Sequence, residues 1–351
     1  MGFVGKAAAA RKLAAAAAYG GGGVSLLGAS LVGVLTAEAK LARRTIGEPM
    51  DDPTPDASGW YGKGRPGPAL KMALLGDSSA VGYGVDQVEH TPGAHLASGL
   101  AEAADRRVYL RSLAVVGARS RDLARQIDLA LPMEPHVAII LIGANDVTHR
   151  VLPSESVRLL EQGVRRLLDH GVQVVVGTCP DLGTVEPIAP PLRQVARAWS
   201  RRLAAGQTIA VVEAGGRTVS LGSILGPEFS ASPKLLFGPD QFHPSVAGYS
   251  SMASVLLPSV LAAVGVIPAE DLEPEAFRGE GVMPISYAAV EAAKTPGTEI
   301  DGTEVGGSKR GARGRWVLLR HRRRRPQGAP ETPESDSEAP VPSAEDDSVP
   351  S

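Results

Sequence analysis

With one cysteine in 351 residues the chain has no intramolecular disulfide, and cysteine usage leaves its redox compartment open. Cys179, ahead of Pro180 at the end of an apolar run, reads as a small buried hydrophobe rather than a reactive thiol. Aromatic residues are scarce, at 4% of the chain, so a core drawn from the 43% hydrophobic content must be filled by Ala, Val and Leu. Net charge is nearly absent too, at −2, which gives no chain-wide pull toward nucleic acid, and no specific nucleic-acid partner is expected. No G-x-x-x-x-G-K-[ST] run exists to cradle a triphosphate, and Gly82-Tyr83-Gly84 does not complete a dinucleotide fingerprint. His90, His95, His136, His149, His170 and His321 form no E-x-x-H or H-x-H cluster, so neither a metal nor an organic cofactor is expected. No sustained heptad pattern indicates an oligomer.

The length allows one large domain with tails. Residues 13–37 carry no charge over 25 positions and follow Lys6, Arg11 and Lys12. As a helix rising about 1.5 Å per residue, such a run spans the roughly 30 Å of a bilayer core. Residues 1–46 are therefore expected to be a membrane anchor or a signal segment, with 24–35 as the apolar core of the signal and Ala37-Glu38-Ala39 as its cleavage site. Membrane association or export follows from either. A soluble Ala-rich helix, and with it a cytoplasmic chain, is the alternative, because the glycines at 20–23 are poor helix formers. Residues 47–69, with Pro49, Pro53, Pro55, Pro66 and Pro68, read as a linker or an extended strap. Residues 266–351 lose periodicity; nine basic residues between Lys309 and Arg325 precede seven acidic ones between 326 and 351, the pattern of a disordered tail.

Between 70 and 265 the pattern alternates. Apolar, β-branched runs at 70–75, 108–116, 137–142, 172–177 and 208–213 predict strands. Helical patterns at 94–104, 120–131, 154–170, 192–205 and 245–264 separate and follow them. Continuous apolar strands joined by helices predict a three-layer α/β/α domain around a parallel sheet of about five strands. Ligands of such sheets bind beyond the carboxyl ends of the strands.

Three polar motifs fall near such ends. Gly76-Asp77-Ser78-Ser79 follows the first strand, Gly143-Ala144-Asn145-Asp146 follows the third, and Asp240-Gln241-Phe242-His243 precedes the last helix. Ser78 supplies a hydroxyl among Gly76, Gly82 and Gly84, although a Ser there can equally cap the next helix. The Asp240–His243 spacing can place both side chains on one side of a tight turn, so that imidazole deprotonates Ser78 while carboxylate fixes the tautomer. Asn145 is either a turn residue or a side-chain donor to an oxyanion, and Gly117 can present a backbone N–H to the same point. His149 is a secondary candidate. The segment is not G-x-S-x-G, so the nucleophile elbow of α/β-hydrolases does not apply.

Gly76-Asp77-Ser78, Gly117, Gly143-x-Asn145-Asp146 and Asp240-x-x-His243 together resemble, in order and context, the blocks of the SGNH/GDSL hydrolase superfamily over residues 70 to 265. The resemblance implies a flavodoxin-like three-layer fold and a serine esterase or lipase, with Ser78, Asp240 and His243 catalytic. It further implies an oxyanion hole formed by Ser78, Gly117 and Asn145. Ser79 stands where many members carry Leu, and Ser112-Leu113 occupies a region that often holds Asn; both bear on subfamily and substrate. The expected reaction is hydrolysis of small-molecule or lipid esters, including cell-envelope or carbohydrate acyl esters, through an acyl-enzyme on Ser78. An acyltransferase using the same site, or a catalytically silent envelope-associated binding module, are the alternatives.

Overall fold

A computed structural model describes residues 21–46, 54–268 and 299–300. Its sheet has seven strands: β1 Gly59–Tyr61, β2 Leu70–Gly76, β3 Val108–Ser112, β4 Val137–Leu141, β5 Gln173–Gly177, β6 Arg217–Val219 and β7 Glu299–Ile300. Their order is β1-β3-β2-β4-β5-β6-β7, with β3-β2-β4-β5-β6 parallel and β1 and β7 antiparallel edges. The helices begin with α1 Gly21–Ile46, α2 Ser78–Val81, α3 Pro92–Ala104, α4 Leu123–Ala130, α5 Ala144–Thr148 and α6 Pro153–Asp169. They continue with α7 Leu192–Ala214, α8 Leu221–Ile224, α9 Gly226–Ala231, α10 Pro233–Leu236 and α11 Val246–Ala263.

The strands are apolar on both faces because both faces are covered. Leu70, Met72 and Leu74 of β2 join Val137, Ile139 and Leu141 of β4 in one core, under Leu96 and Leu100 of α3 and Leu256 and Val260 of α11. Ala73 and Leu75 join Ala138 and Ile140 in the other, under Ile127 of α4 and Leu160, Val164 and Leu167 of α6. Among the described residues α11 is the one helix long and apolar enough to cross a membrane. Tyr249, Leu256 and Val260 bury it in the core instead.

The three layers and four of the five parallel strands are those expected, with two further differences at the edges. Within the 47–69 segment expected as a linker or strap, β1 pairs with β3, Trp60 stacks on Tyr109 with ring centroids 5.1 Å apart, and the Ser112 N–H donates to Ser58 Oγ at 3.0 Å. β7 lies within the 266–351 tail and covers the free edge of β6, whose backbone groups would otherwise go unpaired. The remainder of that tail, including its charged blocks, and residues 1–20 and 47–53 lie outside the described residues.

The 208–213 run is the one misplaced strand. It forms the last turns of α7, where Thr208 Oγ1 donates to the Ala204 carbonyl at 2.9 Å and Ala210, Val211 and Val212 are buried. A six-residue β-branched run suits a buried helix turn as well as a buried strand, and here packing decides. Gly215, at φ 99°, then ends the helix and β6 follows.

With β2 flanked by β3 on one side and β4 on the other, the chain reverses its direction of winding between β2 and β4. The crevice beyond their carboxyl ends is where such sheets bind ligands.

Candidate active site

β2 ends against β4 at a point that only glycine fits. A Cβ on Gly76, whose φ is 136°, would lie 1.9 Å from the Leu141 carbonyl oxygen. Gln126 grips the same residue from both sides, accepting from Gly76 N–H at 2.7 Å and donating to its carbonyl at 2.9 Å. The chain then turns at Asp77, whose N–H bonds Leu141 O and whose Oδ1 caps the Ser79 N–H at 2.9 Å. This sets Ser78 at the first position of α2, 6% exposed, beyond the strand end.

The second segment folds around a carboxylate. Asp240 Oδ1 accepts from the N–H groups of Phe242 and His243, both at 3.0 Å, while the His243 carbonyl accepts from Gly238 N–H at 2.8 Å. Asp240 Oδ2 lies 2.6 Å from His243 Nδ1, and His243 Nε2 lies 2.9 Å from Ser78 Oγ. An ionised carboxylate only accepts, so Nδ1 carries the proton and Nε2 is free to accept from the serine hydroxyl. Tyr83 packs against the imidazole with centroids 4.5 Å apart and planes inclined at 50°, and Phe242 meets it edge-on at 5.0 Å. The Tyr249 hydroxyl, from α11, donates to the Tyr83 carbonyl at 2.7 Å and ties the two segments together.

Asn145 opens α5 after Gly143, at φ 135°, where a Cβ would meet Cys179 Cβ at 3.0 Å. Gln207 holds this turn in place, donating to Ile142 O at 2.9 Å and accepting from Cys179 N–H at 2.7 Å. Gly117 lies in the turn after β3, which is fastened to the strand end by the Val115 N–H bond to Gly76 O. Asp146 joins the two loops, accepting from Ser120 N–H and from Ser120 Oγ at 3.0 Å. Ser78, His243 and Asn145 line one cavity; Gly117 stands outside its lining, and Asp240 lies behind His243. His149 turns its Nδ1 to the Asn145 carbonyl at 2.8 Å and does not line the cavity. Burial pushes the Cys179 thiol well above its usual pKa, in keeping with an inert core residue.

Other parts of the site had no sequence signal. Loop 181–188 walls the cavity and is held by three arginines one helical turn apart on α7. Arg193 donates to the carbonyls of Ile188 and Glu186, both at 2.6 Å, and Arg197 donates to Gly183 O at 3.0 Å. Arg201 donates to the buried Asp181 carboxylate at 2.9 and 3.1 Å. Glu38 of α1 accepts from the Leu192 N–H at the start of the same helix at 2.8 Å.

Asp77 carries a pH signature. Burial pushes its pKa from 3.8 up to about 6, against the Ser79 hydrogen bond and the nearby His243, which favour the anion. Between those values the folded chain holds a proton that the unfolded chain has released, so this group's contribution to stability falls as pH rises to about 6 and is level above it. The difference corresponds to on the order of 3 kcal/mol. Asp77→Asn keeps an oxygen for the Ser79 N–H and has no ionisation. It is expected to unfold at higher urea than the wild type at pH 8, with the gap closing by pH 4. A gap independent of pH would contradict the assignment.

Residues 74–250 match the GDSL-like Lipase/Acylhydrolase family, and the chain belongs to it. It is 41% identical over 246 residues to a GDSL-like esterase of Mycobacterium tuberculosis, an alignment covering 67% of this chain and 77% of that one. Similar solved structures include a psychrotrophic esterase from Pseudoalteromonas, 18% identical over 54% of this chain and 96% of that one with a TM-score of 0.43. An acetylxylan esterase from Geobacillus stearothermophilus is 20% identical over 57% of this chain and 97% of that one, with a TM-score of 0.40. Family membership makes the chain an ester-hydrolysing enzyme.

Proposed function

We propose that this enzyme cleaves carboxylic esters through an acyl-enzyme on Ser78. The observation that carries the reading is the unbroken relay of 2.6 Å from Asp240 to His243 and 2.9 Å from His243 to Ser78. As Ser78 Oγ attacks the ester carbonyl, its proton passes to His243 Nε2, and Asp240 stabilises the imidazolium. The tetrahedral oxyanion receives the Ser78 and Gly117 N–H groups and the Asn145 amide. Collapse breaks the bond to the alcohol, whose oxygen takes the proton from Nε2. Water then repeats the sequence at the acyl carbonyl and frees Ser78.

The substrates that suit this reading are lipid or cell-envelope esters, met at a membrane that holds the N-terminal segment. The uncharged run at 13–37 and the exposed Val32, Val34 and Leu41 of α1 support that placement.

The purified chain is expected to hydrolyse p-nitrophenyl butyrate, and Asn145→Ala to lower kcat by about 100- to 1000-fold with little change in KM. Steady-state kinetics on both proteins tests this. A folded wild type without ester hydrolysis defeats the reading, and an unaltered kcat in the variant removes Asn145 from the oxyanion hole.

A further inference from the structure

The cavity beside Ser78 changes character with depth. Half-buried Ser79, Asn145, Phe242 and His243 stand at its mouth. Behind them the lining is mostly apolar: Val185, Leu221, Leu225, Phe229, Phe237 and Met252 are only 2–9% exposed, beside the polar Asp77, Thr178, Asp181 and Thr184. Such a lining favours an apolar occupant over a hydroxylated one.

Two features fix how far such an occupant can go. Phe229 and Phe237 meet edge to face, with centroids 4.8 Å apart at 77°. Helix α11 lies directly on Phe229, since a Cβ on Gly248 would come within 3.1 Å of Phe229 Cζ, so this ring has no room to retreat. The opposite wall is loop 181–188, fastened by Arg193, Arg197 and Arg201. The cavity volume is about 90 Å³. At roughly 30 Å³ per water, that is room for about three waters, or as many methylene-sized groups.

We propose that the cavity is an acyl pocket for unbranched chains up to about four carbons, the carbonyl carbon and about three more, and that Phe229 and Phe237 set its depth. This rests on the acyl-enzyme reading of Ser78.

The test measures kcat/KM on p-nitrophenyl esters from acetate to tetradecanoate for the full chain and for Phe229→Ala and Met252→Phe. Rates are normalised to sites titrated with a small phosphonate. Wild-type kcat/KM is expected to fall at least about tenfold from butyrate to octanoate. Each methylene newly buried contributes about fourfold, so Phe229→Ala should raise the octanoate-to-butyrate ratio by at least about tenfold. Met252→Phe, which fills the pocket, should lower the butyrate-to-acetate ratio by a similar factor, and it decides alone if Phe229→Ala does not fold. Wild-type ratios in the folded variants, or a wild type that gains steadily to tetradecanoate, overturn the pocket's depth while leaving the acyl-enzyme standing. A wild type that neither titrates nor hydrolyses any ester overturns the acyl-enzyme and the pocket with it.

Discussion

Ser78→Ala is expected to lower kcat on p-nitrophenyl butyrate by roughly four to six orders of magnitude while leaving the urea midpoint almost unchanged. The hydroxyl makes one side-chain contact, to His243 Nε2 at 2.9 Å, and the backbone around it is held by bonds the variant keeps. These are the Gln126 grip on Gly76, the Asp77 cap on Ser79, and the bond from Gly82 N–H to Ser78 O. On the proposed acyl-enzyme reading nucleophile and base act as one unit, so Ser78→Ala combined with His243→Ala should cost little more than either alone. A folded Ser78→Ala protein within tenfold of wild-type kcat would remove Ser78 as nucleophile. Multiplying losses in the double variant would instead mean that the two residues act independently.

The pieces legible in the sequence share a physical property: each combines a local rule with a position at a strand end. Gly76-Asp77-Ser78 follows a run that is apolar at every position, and both faces of β2 are indeed buried. Asp240 and His243 were legible because a carboxylate three residues before an imidazole can close on it within one turn, and here it does at 2.6 Å. What could not be read depends on contacts between distant segments. Gln126 and Gln207 are ordinary helical residues in the sequence, yet each is buried and bonds backbone groups 28 to 65 positions away. The arginines at 193, 197 and 201 look like a solvated helix face until loop 181–188 is seen to lie across them. The edge strands were missed for a related reason. Three residues of β1 carry too little periodicity to signal a strand, and their pairing is set by the free edge of β3 rather than by their own propensity. The 208–213 run failed in the opposite sense, since its β-branched side chains satisfy the strand pattern and tertiary packing overrides it.

Asp240→Asn is expected to be as informative as loss of the nucleophile, at a cost of about 10,000-fold in kcat, because it alters one proton and little else. Burial alone would raise the Asp240 pKa, but the bonds from the His243 ring and the Phe242 and His243 N–H groups, with the imidazole charge, hold it below the usual carboxylate range. The anion is thus available to fix the imidazole with its proton on Nδ1. In the variant the amide oxygen can still accept from the two N–H groups now bonded to Oδ1, so the turn survives. The amide NH2 then faces Nδ1 and can only donate, which forces the imidazole proton onto Nε2. Nε2 now points an N–H at Ser78 Oγ and cannot take its proton. Nitrogen-15 NMR of the histidine ring should place the proton on Nδ1 in the wild type and on Nε2 in the variant. Asp240→Ala separates the two roles of the carboxylate. It removes the acceptor for both backbone N–H groups and should destabilise the turn, but it leaves the tautomer free to interchange, so its kcat should exceed that of Asp240→Asn in the fraction that remains folded. A folded Asp240→Asn enzyme within tenfold of wild-type kcat would show that the 2.6 Å contact does not govern the tautomer during turnover.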